Sequence, residues 1–121
     1  MVYRILWMSR HAPLPAQIDW LNQRFENVQV VQDPNPFDTA QVIVDRFHNG
    51  GFDDMVVVAP LSVMDQLIRR GIKPMWAEMD QIPVSEAKDS PYDCVVVNGR
   101  RGFRFTHFSR VVELRMIFEE V

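Results

Sequence analysis

The chain has 121 residues, which suits one domain spanning 1–121 with a single core and leaves no room for a second. With 47% hydrophobic and 24% charged residues it has the balance of a soluble globular protein; no apolar run approaches a membrane span and the start lacks a basic stretch followed by an apolar signal core, so no membrane partner and a cytoplasmic location are expected. A net charge of −3 argues against coating long nucleic acid through bulk electrostatics and leaves room for a small anionic ligand gripped by local charges.

Positions 2–8 are an apolar run that reads as the first strand and stops on the polar triplet Ser9-Arg10-His11. Leu14, Ile18, Leu21 and Phe25 then recur at helical spacing, and Pro13 and Pro15 fall where a first helical turn tolerates them, so a packing helix is predicted over 15–25. Its amino end lies beside His11, and its free amides and positive dipole end are expected to face the same mouth. Val28-Gln29-Val30-Val31-Gln32 reads as a short second strand closed by Asp33-Pro34-Asn35-Pro36. Ala40, Ile43, Val44 and Phe47 form the stripe of a second helix stopped by Gly50-Gly51, with His48 at its margin in a surface or capping role.

Met55-Val56-Val57-Val58-Ala59 suits a parallel strand covered on both faces. Pro60-Leu61-Ser62 turns it into a third helix with Val63, Met64, Leu67 and Ile68 inward and Gly71 as the stop; Ser62 and Asp65 have capping-box spacing. A fourth strand is expected over 72–79, lying at an edge or beginning late because Pro74 cannot donate to a ladder. The polar stretch 80–91 reads as a loop. Positions 92–98 read as a fifth strand, Gly99-Arg100-Arg101-Gly102 as a tight hairpin, and 103–108 as its return. From Val112 the side chains alternate, with Val112, Leu114, Met116 and Phe118 on one side, which favours a further strand, with a terminal helix as the alternative. The sum is an α/β domain: a three-layer, Rossmann-like, mostly parallel sheet with right-handed crossovers and a C-terminal antiparallel β-hairpin extension. If the first and third strands are neighbours, the segments 9–12 and 59–62 flank one crevice at the carboxyl ends of the strands, where open α/β sheets bind ligands.

Arginine supplies eleven of the thirteen basic residues, and guanidinium grips phosphate in a fixed two-pronged geometry, although GC-rich codon usage explains the same bias. His11 has the side chain suited to proton transfer near neutral pH, Arg10 to pairing with a phosphate, and Ser9, with the helix amides, to holding phosphoryl oxygens. The structural alternatives are a His11 that caps the helix and an Arg10 that bridges to Asp33. Arg100 and Arg101 form a second cationic pair and Arg69 and Arg70 a third; a solvated surface is the plainer reading of all four, and Arg100 and Arg101 remain ligand-binding candidates. Cys94, the sole cysteine, sits within an apolar strand and reads as a small buried hydrophobe. His11, His48 and His107 are scattered and no paired cysteines exist, so neither a metal site nor a cofactor is expected.

The strand leading into Ser9-Arg10-His11, with Pro13, Leu14 and Gln17 opening a helix, resembles the small Rossmann-like CRISPR-associated ring nucleases, which degrade cyclic oligoadenylate second messengers. A second match runs through Val56-Val57-Val58-Ala59-Pro60-Leu61-Ser62-Val63, Leu67, Arg70-Gly71 and Pro83. Together these cover about two thirds of the chain, each motif alone being weakly specific. The resemblance implies a metal-independent nuclease for a cyclic oligoadenylate such as cyclic tetraadenylate, with Ser9, Arg10 and His11 as catalytic residues and Gln17, Pro60, Leu61 and Ser62 among those contacting ligand. A cyclic ligand with internal symmetry is most simply gripped across a twofold axis, so a homodimer is expected. Two other readings stand beside it. Arg10-His11 at a strand end is how histidine phosphatases present their nucleophile, though Ala12 stands where glycine belongs in that pattern; and the crevice also suits a nucleotide-sensing or oligomerising module without turnover.

Overall fold

The computed structural model describes Met1–Val121 as an α/β chain with a mixed six-stranded sheet and four helices. The β-branched and aliphatic runs form β1 (Tyr3–Met8), β2 (Val28–Gln32), β3 (Asp54–Val57) and β4 (Met75–Ile82), all parallel. The connecting segments carry α1 (Pro15–Arg24), α2 (Ala40–Asn49) and α3 (Leu61–Arg69). A short α4 (Val84–Lys88) leads to the antiparallel pair β5 (Cys94–Val97) and β6 (Arg101–Arg110), and the sheet order is β2-β1-β3-β4-β6-β5. β1 and β3 are therefore neighbours, as the crevice requires.

Alternate residues of a strand face opposite ways, and the core divides accordingly. Leu6, Met8, Met55 and Val57 meet Ile43 and Val44 of α2 and Met64 and Leu67 of α3. Ile5, Trp7 and Val56 meet Leu21 of α1, Met75 and the rings of Phe105 and Phe108. Phe105 and Phe108, three residues apart, share one cluster because the β4–β6 register shifts: Glu78 pairs with His107 and Met79 with Phe105, leaving Thr106 as the extra residue of a β-bulge. Each fully buried aliphatic side chain contributes about 1.5–3 kcal/mol, and Ile5, Leu21, Ile43, Met55, Val57 and Leu67 are completely enclosed.

The floor of the sheet, opposite the crevice, is closed by charge. Asp54, 5% exposed, accepts from both terminal nitrogens of Arg110 at 2.6 and 2.8 Å, from the Tyr3 hydroxyl at 2.8 Å and from the Met55 amide at 2.8 Å. Burial, then the hydrogen bond to Asp54, pushes the Tyr3 phenol up to about 12.

Several expectations need correction. Residues after Arg110 form no strand, since β6 is already flanked by β4 and β5 and offers the following chain no free edge. The segment 80–91 is not a loop throughout: β4 continues to Ile82 and α4 follows. Pro74 delays β4 to Met75 and does not put it at an edge, because β4 lies between β3 and β6. Ser62 and Asp65 form no capping box: α3 begins at Leu61 after Pro60, and Asp65 pairs with Arg69 at 2.9 Å. The hairpin turns on Asn98 and Gly99, both at positive φ (54° and 66°), with the Arg100 amide donating to Val97 at 3.2 Å. Gly102 lies past the turn, where an added Cβ would come within 2.8 Å of the Ala87 Cβ and 2.9 Å of the Ile82 carbonyl. Cys94 is buried, and that burial raises its thiol pKa. No helix is long and apolar enough to cross a membrane.

Candidate functional site

At the carboxyl ends of β1 and β3 the chain turns through Ser9, Arg10 and His11 over a cleft of about 360 Å³. Its backbone is held by side chains. The indole of Trp7, 5% exposed, donates to the His11 carbonyl at 2.8 Å; the Ser9 hydroxyl accepts from the His11 amide at 3.1 Å; and Gln32 Nε2 reaches the carbonyls of Ser9 and Arg10 at 3.1 and 3.3 Å. A polar turn thereby gains a fixed shape from the core ring beneath it and from the last residue of β2.

The side chains that point outward are less committed. Arg10 and His11 are exposed, and neither the guanidinium nor the imidazole makes a hydrogen bond or ion pair within the chain. Arg10 does not bridge to Asp33, because Asp33 is taken by Arg46 at 3.7 Å. Arg46 also donates to the carbonyls of Asn35 and Pro36 at 2.9 and 2.7 Å, so it braces the far wall, 33–37, while offsetting the one carboxylate that lines the cleft. What remains facing the cleft is the charge of Arg10, the titratable ring of His11, and an apolar lining of Met8, Pro34, Pro36, Phe37 and Val58. A cationic centre beside an apolar wall suits a phosphate attached to a flat, weakly polar group.

The amides of α1 do not serve this mouth, contrary to the sequence reading. Gln17, 5% exposed, turns its carbonyl back to cap the Leu14 amide at 2.8 Å; Pro15 has no N–H; the Ala16 amide donates to Tyr92 at 2.9 Å and that of Gln17 to Leu14 at 3.0 Å. At the start of α3, by contrast, the helix's first bonds run from Val63 and Met64 to the Pro60 carbonyl, so the amides of Leu61 and Ser62 have no helical acceptor.

The other candidates lie apart from the cleft. Gln17 reaches an adjoining apolar groove of about 550 Å³ shared with Ser9 and His11 and walled by Leu14, Ala77, Val95, Val97 and Phe103. Leu61 lines a smaller hollow beside Leu114, and neither Pro60 nor Ser62 lines the cleft. Arg100 and Arg101 are exposed at the hairpin tip beside Val97 and Phe103, so one copy of the chain does not bring them to Arg10. Glu78 lines the same apolar groove as His11. No three His, Cys, Asp or Glu side chains converge on one point. Sequence reasoning missed Trp7 and Gln32 as braces and the 33–37 wall; the paired prolines Pro34 and Pro36, which fix that loop's shape, were the available signal. No family model, curated protein or solved structure matches the chain.

Proposed function

We propose that the chain is a ring nuclease: a cytoplasmic homodimer built on a Rossmann-like three-layer core, which binds a cyclic oligoadenylate, with cyclic tetraadenylate as the expected ligand, and opens it by metal-independent chemistry. One observation carries this reading. An unpaired guanidinium and an unpaired imidazole stand on a braced turn over a cleft whose own carboxylate is already paired.

In the proposed reaction Arg10 pairs with the phosphate, and the ribose 2′-hydroxyl attacks the adjacent phosphorus in line. Neutral His11 takes the hydroxyl proton, the bond from phosphorus to the 5′ oxygen breaks, and that oxygen leaves as an alcohol after gaining a proton from solvent. The product end is a 2′,3′-cyclic phosphate. Ser9 keeps its hydroxyl hydrogen free for a phosphoryl oxygen, since it accepts from the His11 amide. Pro36 and Phe37 give an adenine an apolar wall. Cleavage needs only orientation, charge stabilisation and one proton acceptor.

The test is incubation with cyclic tetraadenylate and products resolved by mass. Wild type is expected to yield linear or shorter products with cyclic phosphate ends. His11→Ala should slow turnover by about 10²–10⁴-fold with binding retained, the range for loss of a general base, whereas Arg10→Ala should weaken binding. Tight binding with intact ring selects the sensing module instead. Neither binding nor cleavage refutes both.

A further inference from the structure

Two exposed apolar features find no partner within the chain. The first is its final arm. The Val111 amide donates to the Pro74 carbonyl at 2.9 Å, and Val111 and Leu114 pack against the α2–α3 cluster. Beyond Leu114 there is no regular structure, and Met116, Ile117 and Phe118 are 80%, 92% and 81% exposed. Three large apolar side chains in succession on one segment form a patch of the kind that marks an interaction site. The second feature is the groove between α1 and the β5–β6 hairpin, walled by Leu14, Ala77, Val95, Val97 and Phe103.

Charge matches the two. The apolar triplet of the arm is followed by Glu119 and Glu120, while the groove's outer end, at Val97 and Phe103, adjoins the exposed and unpaired Arg100 and Arg101. An arm laid with Met116, Ile117 and Phe118 along the groove carries its acidic end to the arginine tip. The arm's own root is pinned among the residues of the α2–α3 cluster, whereas the groove draws most of its wall from the α1 side of the sheet, so a second copy reaches it without doubling back. Area agrees as well. Each of the three side chains removes roughly 100 Å² of apolar surface from water on burial; with an equal area of groove wall and two reciprocal arms, the total is roughly 1,200 Å², at the lower end of the range for specific interfaces.

We propose that residues 115–121 of each copy seat in the apolar groove of a second copy, Met116, Ile117 and Phe118 inside and Glu119 and Glu120 against Arg100 and Arg101. The exchange rests on the arm and the groove and holds whether or not the His11 turn cleaves a nucleotide.

The test is light scattering across a concentration series on the full chain. Wild type is expected to be dimeric. Ile117→Asp with Phe118→Asp should raise the dimer dissociation constant at least about a hundredfold while the far-ultraviolet circular dichroism stays that of the folded chain, because both side chains are exposed and lie outside the core; the thermal midpoint should lose its dependence on concentration. Arg100→Glu with Arg101→Glu should raise it about tenfold, and adding Glu119→Arg with Glu120→Arg should restore it. Phe118→Cys and Val97→Cys chains, purified separately, mixed and oxidised, should give a cross-linked pair; the buried Cys94 does not compete. A wild type that stays monomeric at high micromolar concentration, a dimer indifferent to the arm substitutions, or a Phe118→Cys/Val97→Cys double variant that cross-links within one chain would each overturn the exchange.

Discussion

Replacing Arg110 by alanine removes both guanidinium contacts to Asp54 and leaves a carboxylate that is 5% exposed with only the Tyr3 hydroxyl and the Met55 amide. Breaking a buried pair by deleting one partner costs about 3–5 kcal/mol. Arg110 itself is 38% exposed, so water takes up part of the loss and about 2–3 kcal/mol is the expected cost. For a domain of this size that lowers the melting temperature by roughly 10 °C. The measurement is calorimetric or denaturant unfolding of wild type, Arg110→Ala, Asp54→Asn and the double variant. The double variant should recover about 1 kcal/mol relative to additivity, since the orphaned charge is then gone. A loss below about 0.5 kcal/mol for Arg110→Ala would show that the pair does not hold β6 to the sheet floor, and the reasoning fails. pH supplies a second arm. The folded Tyr3 pKa, about 12, lies above the ordinary value of 10.0, so its stabilisation is intact below pH 10 and is lost as pH climbs from 10 through about 12. Tyr3→Phe should remove that alkaline component while leaving the neutral-pH unfolding two-state.

Trp7→Phe keeps most of the core ring but deletes the donor to the His11 carbonyl, so it should cost about 1 kcal/mol and, in the cleavage assay, lower turnover more than binding. Arg46→Ala unpairs Asp33 and releases two carbonyls of the far wall; titration calorimetry should show weaker binding of a phosphate ligand, with the deficit shrinking as salt is raised. Gly102→Ala forces a Cβ against Ala87 and the Ile82 carbonyl and should destabilise by about 1–3 kcal/mol, read from the denaturation midpoint.

The parts of the fold visible in the sequence are those where one local rule dominates. Val28–Gln32 is bounded by a turn and by prolines, and Ala40–Asn49 has both a clear stripe and a glycine stop, so both elements appear where the pattern puts them. α4 is too short for a helical period to show, and its flanking Pro83 and Pro91 read as loop signals. The alternation from Val112 to Phe118 is real, but a strand needs a free edge beside it, which is a property of the sheet order and not of the segment. At the site, Arg10 and His11 were legible because a polar triplet interrupts an apolar strand. The ownership of Asp33 by Arg46 was not, since it depends on how α2 crosses over β2. The amides of α1 were misjudged because a glutamine and a distant carbonyl, Gln17 and Tyr92, consume them.

The extra residue at Thr106 has a consequence for tolerance to length change. Excising it leaves Glu78 opposite His107 and Met79 opposite Phe105, so every ring in β6 keeps its orientation and the in–out alternation becomes regular. The chain therefore carries a residue that its pattern of burial does not need. What Thr106 supplies is bend, because an unpaired residue sharpens the local twist of a strand. The distal half of the hairpin, with Phe103 and the arginine tip, lies beyond that bend and walls the apolar groove, so a one-residue deletion is a means of changing the groove's width while leaving the hydrophobic interior intact.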